Sequence, residues 1–124
     1  MSQRVGREVA TFEIEEGLVD DTLLVKEFFD RVHAGDLSVC ELYAPDGMRI
    51  DHEGREFRGR ESIRGVYAGM FPLPPTHPEV AALHRNPPFL AAVMRFPGRS
   101  GEGSQYIDLF EIEDGLIRTL RVLT

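Results

Sequence analysis

The sequence lacks the cysteines and short motifs that directly indicate a particular chemistry. Among its 124 residues there is one cysteine, Cys40, so an intrachain disulfide is impossible and a thiolate zinc site has too few ligands. Phosphate-binding glycine loops, a nucleophile elbow and an HExxH helix motif are also missing. These absences argue against nucleotide, covalent serine and zinc-protease chemistry. We therefore expect neither a cofactor nor a metal.

Positive charge and long apolar runs are scarce as well. Fourteen basic against 21 acidic residues give a formal net charge of -7, which disfavours nucleic acids and anionic membranes as partners. The longest apolar runs, such as residues 89–94, are strand-sized and far shorter than the roughly 20 residues that span a bilayer. Residues 1–17 mix both charges and lack the apolar segment of a signal peptide. The expectation is a cytoplasmic protein without membrane or nucleic-acid partners.

The sequence does contain the patterning of one folded domain. We interpret residues 1–18 as an N-terminal extension and residues 19–124 as a single domain. Apolar residues recur at helical spacing in three segments, 19–35, 37–43 and 60–70. Pro45 and Gly47 are expected to terminate the second of these helices.

The second half of the chain has the patterning of strands. The predicted strands are 48–53, 56–58, 79–85, 89–96, 104–112 and 116–123. A proline-rich extended connection at 71–78 and a glycine-rich loop at 97–103 separate some of them, and Asp114-Gly115 is typical of a hairpin turn. Helices followed by consecutive strands predict an α+β fold, with a curved antiparallel sheet and the helices on one face.

Several short motifs, in this order, resemble one known superfamily. They stand at residues 34–37 (AGDL), 43–51 (YAPDGMRID), 59–64 (GRESIR), 107–110 (IDLF) and 113–117 (EDGLI). With the order of the elements, they make residues 20–123 similar to nuclear transport factor 2-like (NTF2-like) domains, including SnoaL-like cyclases and ketosteroid isomerase. The resemblance implies a cone-shaped fold with a curved mixed or antiparallel sheet and three helices on its concave face.

The resemblance also implies two catalytic carboxyl groups. The general base of the isomerase falls on Asp51, and the protonated carboxyl that donates to the substrate oxygen falls on Asp108. The tyrosine that completes this oxyanion site falls on Phe28, which has no hydroxyl. Tyr67 matches the tyrosine that supports the missing one, and Tyr106, two residues before Asp108, could point into the same cavity.

Each candidate also has a plain structural interpretation. Asp51 could be satisfied by turn amides, or by Arg49, which shares its strand face and would lower its pKa. Asp108 could face water on an edge strand, and the two tyrosines could simply pack in the core.

Other residues are candidates for the wall of the same pocket. Phe110 would supply apolar lining, and His84 and His52 could border the cavity or lie on a strand face. Glu79 opens a strand and could be the second carboxylate that epoxide-opening relatives use. No pair of histidines has a convincing metal-ligand spacing.

Two functions of different kinds stay open. One is a cofactor-independent SnoaL-like enzyme that transfers a proton on a small apolar, polyketide- or steroid-like molecule, during isomerisation, cyclisation or epoxide opening. The other is a non-catalytic ligand-binding or dimerisation module. Under both we expect a homodimer through the sheet, with Met48, Ile50 and His52 on the interface.

Overall fold

The structure, a computed structural model, describes residues 16–73, 78–96 and 105–124. These ranges contain two α-helices, a 3-10 helix and six strands. The helices are α1 (Glu16–His33), the 3-10 helix (Leu37–Leu42) and α2 (Arg60–Met70). The strands are β1 (Tyr43–Ile50), β2 (Glu56–Arg58), β3 (Glu79–Asn86), β4 (Phe89–Arg95), β5 (Gln105–Glu113) and β6 (Leu116–Leu123). The predicted loop at 97–103, most of the predicted N-terminal extension and part of the proline-rich connection lie outside the described residues.

The six strands form one mixed sheet in the order β2-β1-β6-β5-β4-β3. All neighbours are antiparallel except β1 and β6, which run parallel and are connected along the chain through α2 and four strands. The core lies between the helices and one face of this sheet, where residues of α1, the 3-10 helix and α2 pack on β4, β5 and β6. The predicted α+β, NTF2-like architecture is confirmed.

Helix α1 buries the apolar stripe that its sequence predicts. Val25, Phe28 and Phe29 point into the core at helical spacing, and the chain leaves the helix through Gly35, whose φ is +67°. The helix begins at Glu16, before the predicted start at Val19, so the predicted boundary at residue 18 falls inside it. Asp36 then caps the 3-10 helix by accepting a hydrogen bond from the Ser38 amide at 2.9 Å.

The start of β1 corrects one prediction. Pro45 and Gly47 do not end a helix but lie within β1, where the register with β6 shifts between Tyr43 and Met48. A proline is tolerated there because an irregular stretch of strand leaves its position without a ladder hydrogen bond to donate. Gly47 is needed because a Cβ at this position would stand 2.9 Å from the Ile117 carbonyl oxygen.

The end of β1 decides what faces the core. The strand stops at Ile50, and residues 51–55 form a tight turn in which the Gly54 amide donates to the Asp51 carbonyl at 2.9 Å. The alternation of side chains predicted through residue 53 therefore ends at Ile50.

Asp114-Gly115 forms the predicted hairpin turn, with positive φ at both residues. Within the described ranges no helix is long and apolar enough to cross a membrane.

Candidate functional site

A cavity of about 640 Å³ opens between the helices and the inner face of the sheet. Its wall is largely apolar and aromatic, with a few polar groups among them. The lining residues are Phe28, Phe29, Val32, His33, Arg49, His52, Tyr67, Met70, Pro78, Phe96, Gln105, Tyr106, Asp108, Val122 and Thr124. A concave apolar pocket with a small number of convergent polar groups is the usual form of a small-molecule site.

Asp108 is the acidic side chain of this wall. It lies mid-strand in β5, where Tyr106, Asp108 and Phe110 alternate toward the helices, and only 6% of it is exposed. Within the described part of the chain its carboxyl group makes no hydrogen bond or ion pair. Burial raises the pKa of Asp108 to about 7, although the positive charge of Arg49 acts in the opposite direction. The group is thus poised to gain or lose a proton near neutral pH.

Arg49 is the positive group of the wall. It lies on the inner face of β1, two strands away from β5 and offset by two residues in register, so its backbone is about 12 Å from that of Asp108. Its guanidinium stands over the Tyr67 ring at 5.2 Å, and its Nη1 donates to the Tyr67 hydroxyl at 3.4 Å. Burial lowers the pKa of Arg49, but the hydroxyls of Tyr67 and Tyr43 and the Asp108 carboxylate outweigh it, so the guanidinium stays charged.

Two buried tyrosines extend this polar group into the core. The hydroxyls of Tyr43 and Tyr67 are 2.8 Å apart and form a hydrogen bond between β1 and α2. Desolvation raises the pKa of both, and it raises the pKa of Tyr106 as well, where the nearby Asp108 adds to the effect. All three therefore keep their protons at neutral pH and can act as hydrogen-bond donors.

Phe28 occupies the centre of an aromatic cluster. Its ring makes edge contacts with the rings of Phe29 and Phe110, at centroid distances of 5.0 and 5.2 Å, and lies 6.5 Å from the Tyr67 ring. Phe28 lines the cavity, whereas Phe110 lies beneath it, fully buried in the core. At the place where the isomerase pattern has a hydroxyl, this chain has an apolar ring, and the polar groups that contact the Tyr67 hydroxyl are Tyr43 and Arg49.

The structure does not place Asp51 opposite Asp108. Asp51 lies in the turn after β1 and does not line the cavity. Its carboxylate accepts hydrogen bonds from the Glu53 and Arg55 amides, both at 2.9 Å, and pairs with the Arg55 guanidinium at 2.7 Å. Burial raises the pKa of Asp51, but these hydrogen bonds outweigh it and leave the pKa below its ordinary value. The structure therefore does not bring the two predicted carboxyls together across the cavity, because β1 ends at Ile50, one residue before Asp51.

Three further candidate residues lie elsewhere than the sequence predicted. His84 is exposed on the edge strand β3 and, since it pairs with Ala91, faces away from the cavity. Glu79 is exposed and pairs with Arg95 at 3.3 Å, so it supplies no second carboxylate to the site. His52 lines the cavity rather than the predicted interface, because the turn after Ile50 reverses the side to which it points.

Two residues of the site had not been singled out. His33 lines the cavity one helical turn after Phe29, with the two rings 6.4 Å apart, and its i, i+4 spacing from a buried aromatic was the available signal. The hydroxyl of Tyr43 forms a hydrogen bond with that of Tyr67, 24 residues away in the sequence, and no local pattern predicts such a contact. Among the described residues, no three His, Cys, Asp or Glu side chains are grouped as a metal site requires.

Comparison with known proteins agrees with this architecture. Residues 25–120 match the family model of the SnoaL-like domain, which covers most of the chain. No curated protein matches the sequence significantly. Many solved structures do match, although at low sequence identity.

Three of these structures illustrate the kinds of protein that have a similar fold. A candidate polyketide cyclase from Sinorhizobium meliloti has a TM-score of 0.68 and 21% identity, over 80% of this chain and 92% of that one. The epoxide hydrolase/cyclase-like enzyme SalBIII, which functions in pyran ring formation in the polyether salinomycin, has a TM-score of 0.73 and 16% identity, over 88% and 93%. A protein from Catenulispora acidiphila with a ketosteroid isomerase-like fold, in complex with trimethylamine, has a TM-score of 0.65 and 16% identity, over 82% and 84%.

Proposed function

Because the chain belongs to the family of SnoaL-like domains, we propose that it is a cofactor-independent enzyme that transfers a proton on a small, largely apolar carbonyl compound. Polyketide- and steroid-like molecules are the substrate class, and isomerisation or cyclisation is the reaction type. Asp108 is the acid-base group. The observation that carries the proposal is the position of this carboxyl, which is buried in the cavity wall with no ion-pair partner in the described residues and has a pKa of about 7.

The proton transfer needs one base and one group that accepts negative charge. Ionised Asp108 takes the proton from the carbon next to the substrate carbonyl, and the electron pair of the broken C–H bond moves onto the carbonyl oxygen. Arg49, with Tyr67 beside it, donates to that oxygen as its charge develops. Return of the proton from Asp108 to another carbon completes an isomerisation. Alternatively, attack of the enolate carbon on a second carbonyl closes a ring, and the alkoxide that forms takes the proton back from Asp108.

The spacing of the two groups supports this division of roles. Asp108 and Arg49 stand on strands separated by β6 and make no ion pair within 4 Å, which leaves room for a carbonyl group between them. Phe28, Phe29 and Val32 of α1 would cover the apolar part of the substrate. A dry wall of this kind also strengthens the interaction of Arg49 with a developing oxyanion.

Exchange of the acidic C–H protons of 2-tetralone in D₂O, followed by NMR, tests the assignment with a bicyclic ketone of the proposed class. The wild-type protein should accelerate exchange, and the rate should rise with pH and level off above about 7, as Asp108 becomes ionised. Asp108→Asn should slow the catalysed exchange by roughly 10²- to 10⁴-fold.

Asp51→Asn is the matched control, because it removes a carboxylate that is held in the turn by Arg55. This variant should stay within about threefold of the wild-type rate, since general acid-base effects of the size above need direct contact with the substrate. Equal losses in the two variants, or a wild-type rate in Asp108→Asn, would contradict the role given to Asp108.

A second candidate function is a non-catalytic ligand-binding module. The observation that favours it is the loss of the two-carboxyl arrangement, with Asp51 neutralised by Arg55 and Phe28 in place of a hydroxyl donor. If the wild-type protein binds 2-tetralone without accelerating its proton exchange, this second function is supported over the first.

A further inference from the structure

Arg49 is an unusual group to find in a largely apolar wall. Its Nε is fully buried and has no hydrogen-bond partner among the described residues, although the residue as a whole is half-buried. Its Nη1 donates to the neutral hydroxyl of Tyr67 at 3.4 Å. Within the described part of the chain, no carboxylate lies within 4 Å of the guanidinium. A buried cation without an anionic partner is costly, and proteins normally supply one.

We infer that the cavity takes an organic acid, a ligand with an apolar body and one carboxylate, and that this carboxylate binds the guanidinium of Arg49. The inference rests on the proposed function in placing the ligand in the same cavity, and the carboxylate takes the position at Arg49 that the substrate's carbonyl oxygen has in the proposed reaction. A planar guanidinium offers a carboxylate two parallel N–H donors. A carboxylate would therefore accept a hydrogen bond from the Nε and also neutralise the positive charge. A neutral carbonyl oxygen would fill one donor and leave the charge in place.

The other charged groups around the cavity are compatible with an anion. Asp108 is the one acidic side chain among the described lining residues, and it is separated from Arg49 by the width of β6. His33 of α1 and His52 after β1 also line the wall, and a histidine side chain adds either no charge or a positive one. Apart from Asp108, the titratable side chains that face Arg49 are the tyrosines Tyr43, Tyr67 and Tyr106, which remain neutral.

The apolar part of the ligand has a defined place. Phe28, Phe29, Val32 and Met70 line the same cavity from α1 and α2, on the helical side of Arg49. Arg85, by contrast, has two buried nitrogens without a hydrogen-bond partner in the described ranges but does not line this cavity, so it marks no second site of the same kind.

The test compares two probes with the same apolar body, the anionic 2-naphthoate and the neutral 2-naphthamide, whose binding is measured by naphthalene fluorescence and calorimetry at pH 6. The wild-type protein should bind the acid at least about tenfold more tightly than the amide, as expected for a charge-assisted, bidentate pair. Arg49→Gln should abolish this preference, and Arg49→Lys should keep part of it. Arg121→Gln, which removes an exposed arginine from β6, should leave it unchanged.

Several results would overturn the inference. They are equal affinities of the wild-type protein for the two probes, binding of neither at millimolar concentration, and an unchanged preference in Arg49→Gln. Asp108→Asn separates this inference from the proposed function, because the variant should still bind naphthoate at least as tightly as the wild type even though its proton exchange is lost. Should Arg49→Gln fail to fold, the comparison of acid and amide on the wild-type protein and on Arg49→Lys still decides the matter.

Discussion

At the scale of single residues, the proposed function depends on a carboxyl group that is kept out of water. Asp108 lies mid-strand, in a position where an apolar residue would make the protein more stable. Its pKa of about 7 results from the energetic cost of burying the charged carboxylate. Residues whose presence conflicts with local preference are often functional, because the strain persists only where it is useful. Asp108 shows two indications of a functional role: an aspartate is unfavourable at its strand position, and its side chain lies on the cavity wall.

The raised pKa of Asp108 has a consequence for stability. In the unfolded chain the carboxyl ionises near its ordinary pKa of 3.8, whereas in the folded protein it does so near 7. The folded state therefore holds the proton more tightly, and the stability that this gives is complete below pH 3.8 and lost as pH rises through about 7. Asp108→Asn, which cannot ionise, should make the protein more stable than the wild type at pH 8, by at most on the order of 4 kcal/mol.

Thermal unfolding at pH 5 and pH 8 measures this difference. The gain in Tm from Asp108→Asn should be clearly larger at pH 8 than at pH 5. Asp51→Asn should lower the Tm by about the same amount at both pH values, because the pKa of Asp51 lies below its ordinary value and its contacts with Arg55 are fully present at pH 5 as well as at pH 8. A gain from Asp108→Asn that is the same at both pH values would show that the carboxyl is not desolvated.

At the scale of elements, strand β1 determines the composition of the site. Its irregular register beside β6 carries Tyr43 and Arg49 onto the inner face, and its early end places Asp51 in a turn and His52 on the cavity wall. One residue more or less of regular strand would exchange the side chains that face the cavity, because successive residues of a strand point to opposite faces.

Gly47 should be the residue on which this irregular strand depends. A Cβ there would stand 2.9 Å from the Ile117 carbonyl oxygen and 3.1 Å from that of Ala44, both of which are backbone atoms that cannot move away. We expect Gly47→Ala to destabilise the protein by roughly 1–3 kcal/mol in chemical denaturation.

A glycine in open space provides the control for that substitution. Gly65 lies exposed in α2, with nothing within 4 Å of an added Cβ, so Gly65→Ala should stabilise the protein by about 0.5–1 kcal/mol through helix propensity. Equal effects of the two substitutions would mean that the backbone approach at Gly47 does not constrain β1.

At the scale of the whole molecule, the sheet has two chemically different faces. The inner face carries the cavity and the core, whereas alternation places Ile107 and Leu109 of β5, with Val93 of β4 opposite Ile107, on the outer face. Met48 and Ile50 share that face, as predicted from the sequence, although only 3% of Ile50 is exposed. Leu123, which pairs with Ile107, is 40% exposed there. An apolar sheet face of this kind suits a second copy of the chain.

We propose that the protein forms a homodimer through this outer face. Light scattering at micromolar concentration should give twice the mass of the 14.0 kDa chain. Leu109→Glu, which places a charge at the middle of the face, should give a folded monomer. Leu83→Glu changes an exposed leucine of β3 on the opposite face and should leave the dimer intact. A monomeric wild-type protein would contradict the proposal.

The sequence by itself determined the elements and their order. Helical spacing in α1 and α2, alternation in β5 and the Asp114-Gly115 turn are local signals, and each appears in the structure within a few residues of its predicted bounds. It also identified Asp108, since an aspartate between apolar strand residues is itself a local anomaly. These features need only near neighbours along the chain, so a pattern can carry them.

Tertiary structure alone decided which polar groups share the cavity with Asp108. Asp51 and Arg49 are two residues apart, and an unbroken strand would have turned both to the same side, but a turn held by Arg55 removes Asp51 and leaves Arg49 inside. The hydrogen bond of Tyr43 with Tyr67 likewise joins segments 24 residues apart. The length of a strand and the packing of a helix against it are set by contacts across the whole fold, which is why residue patterns could propose the members of the site but not their final set.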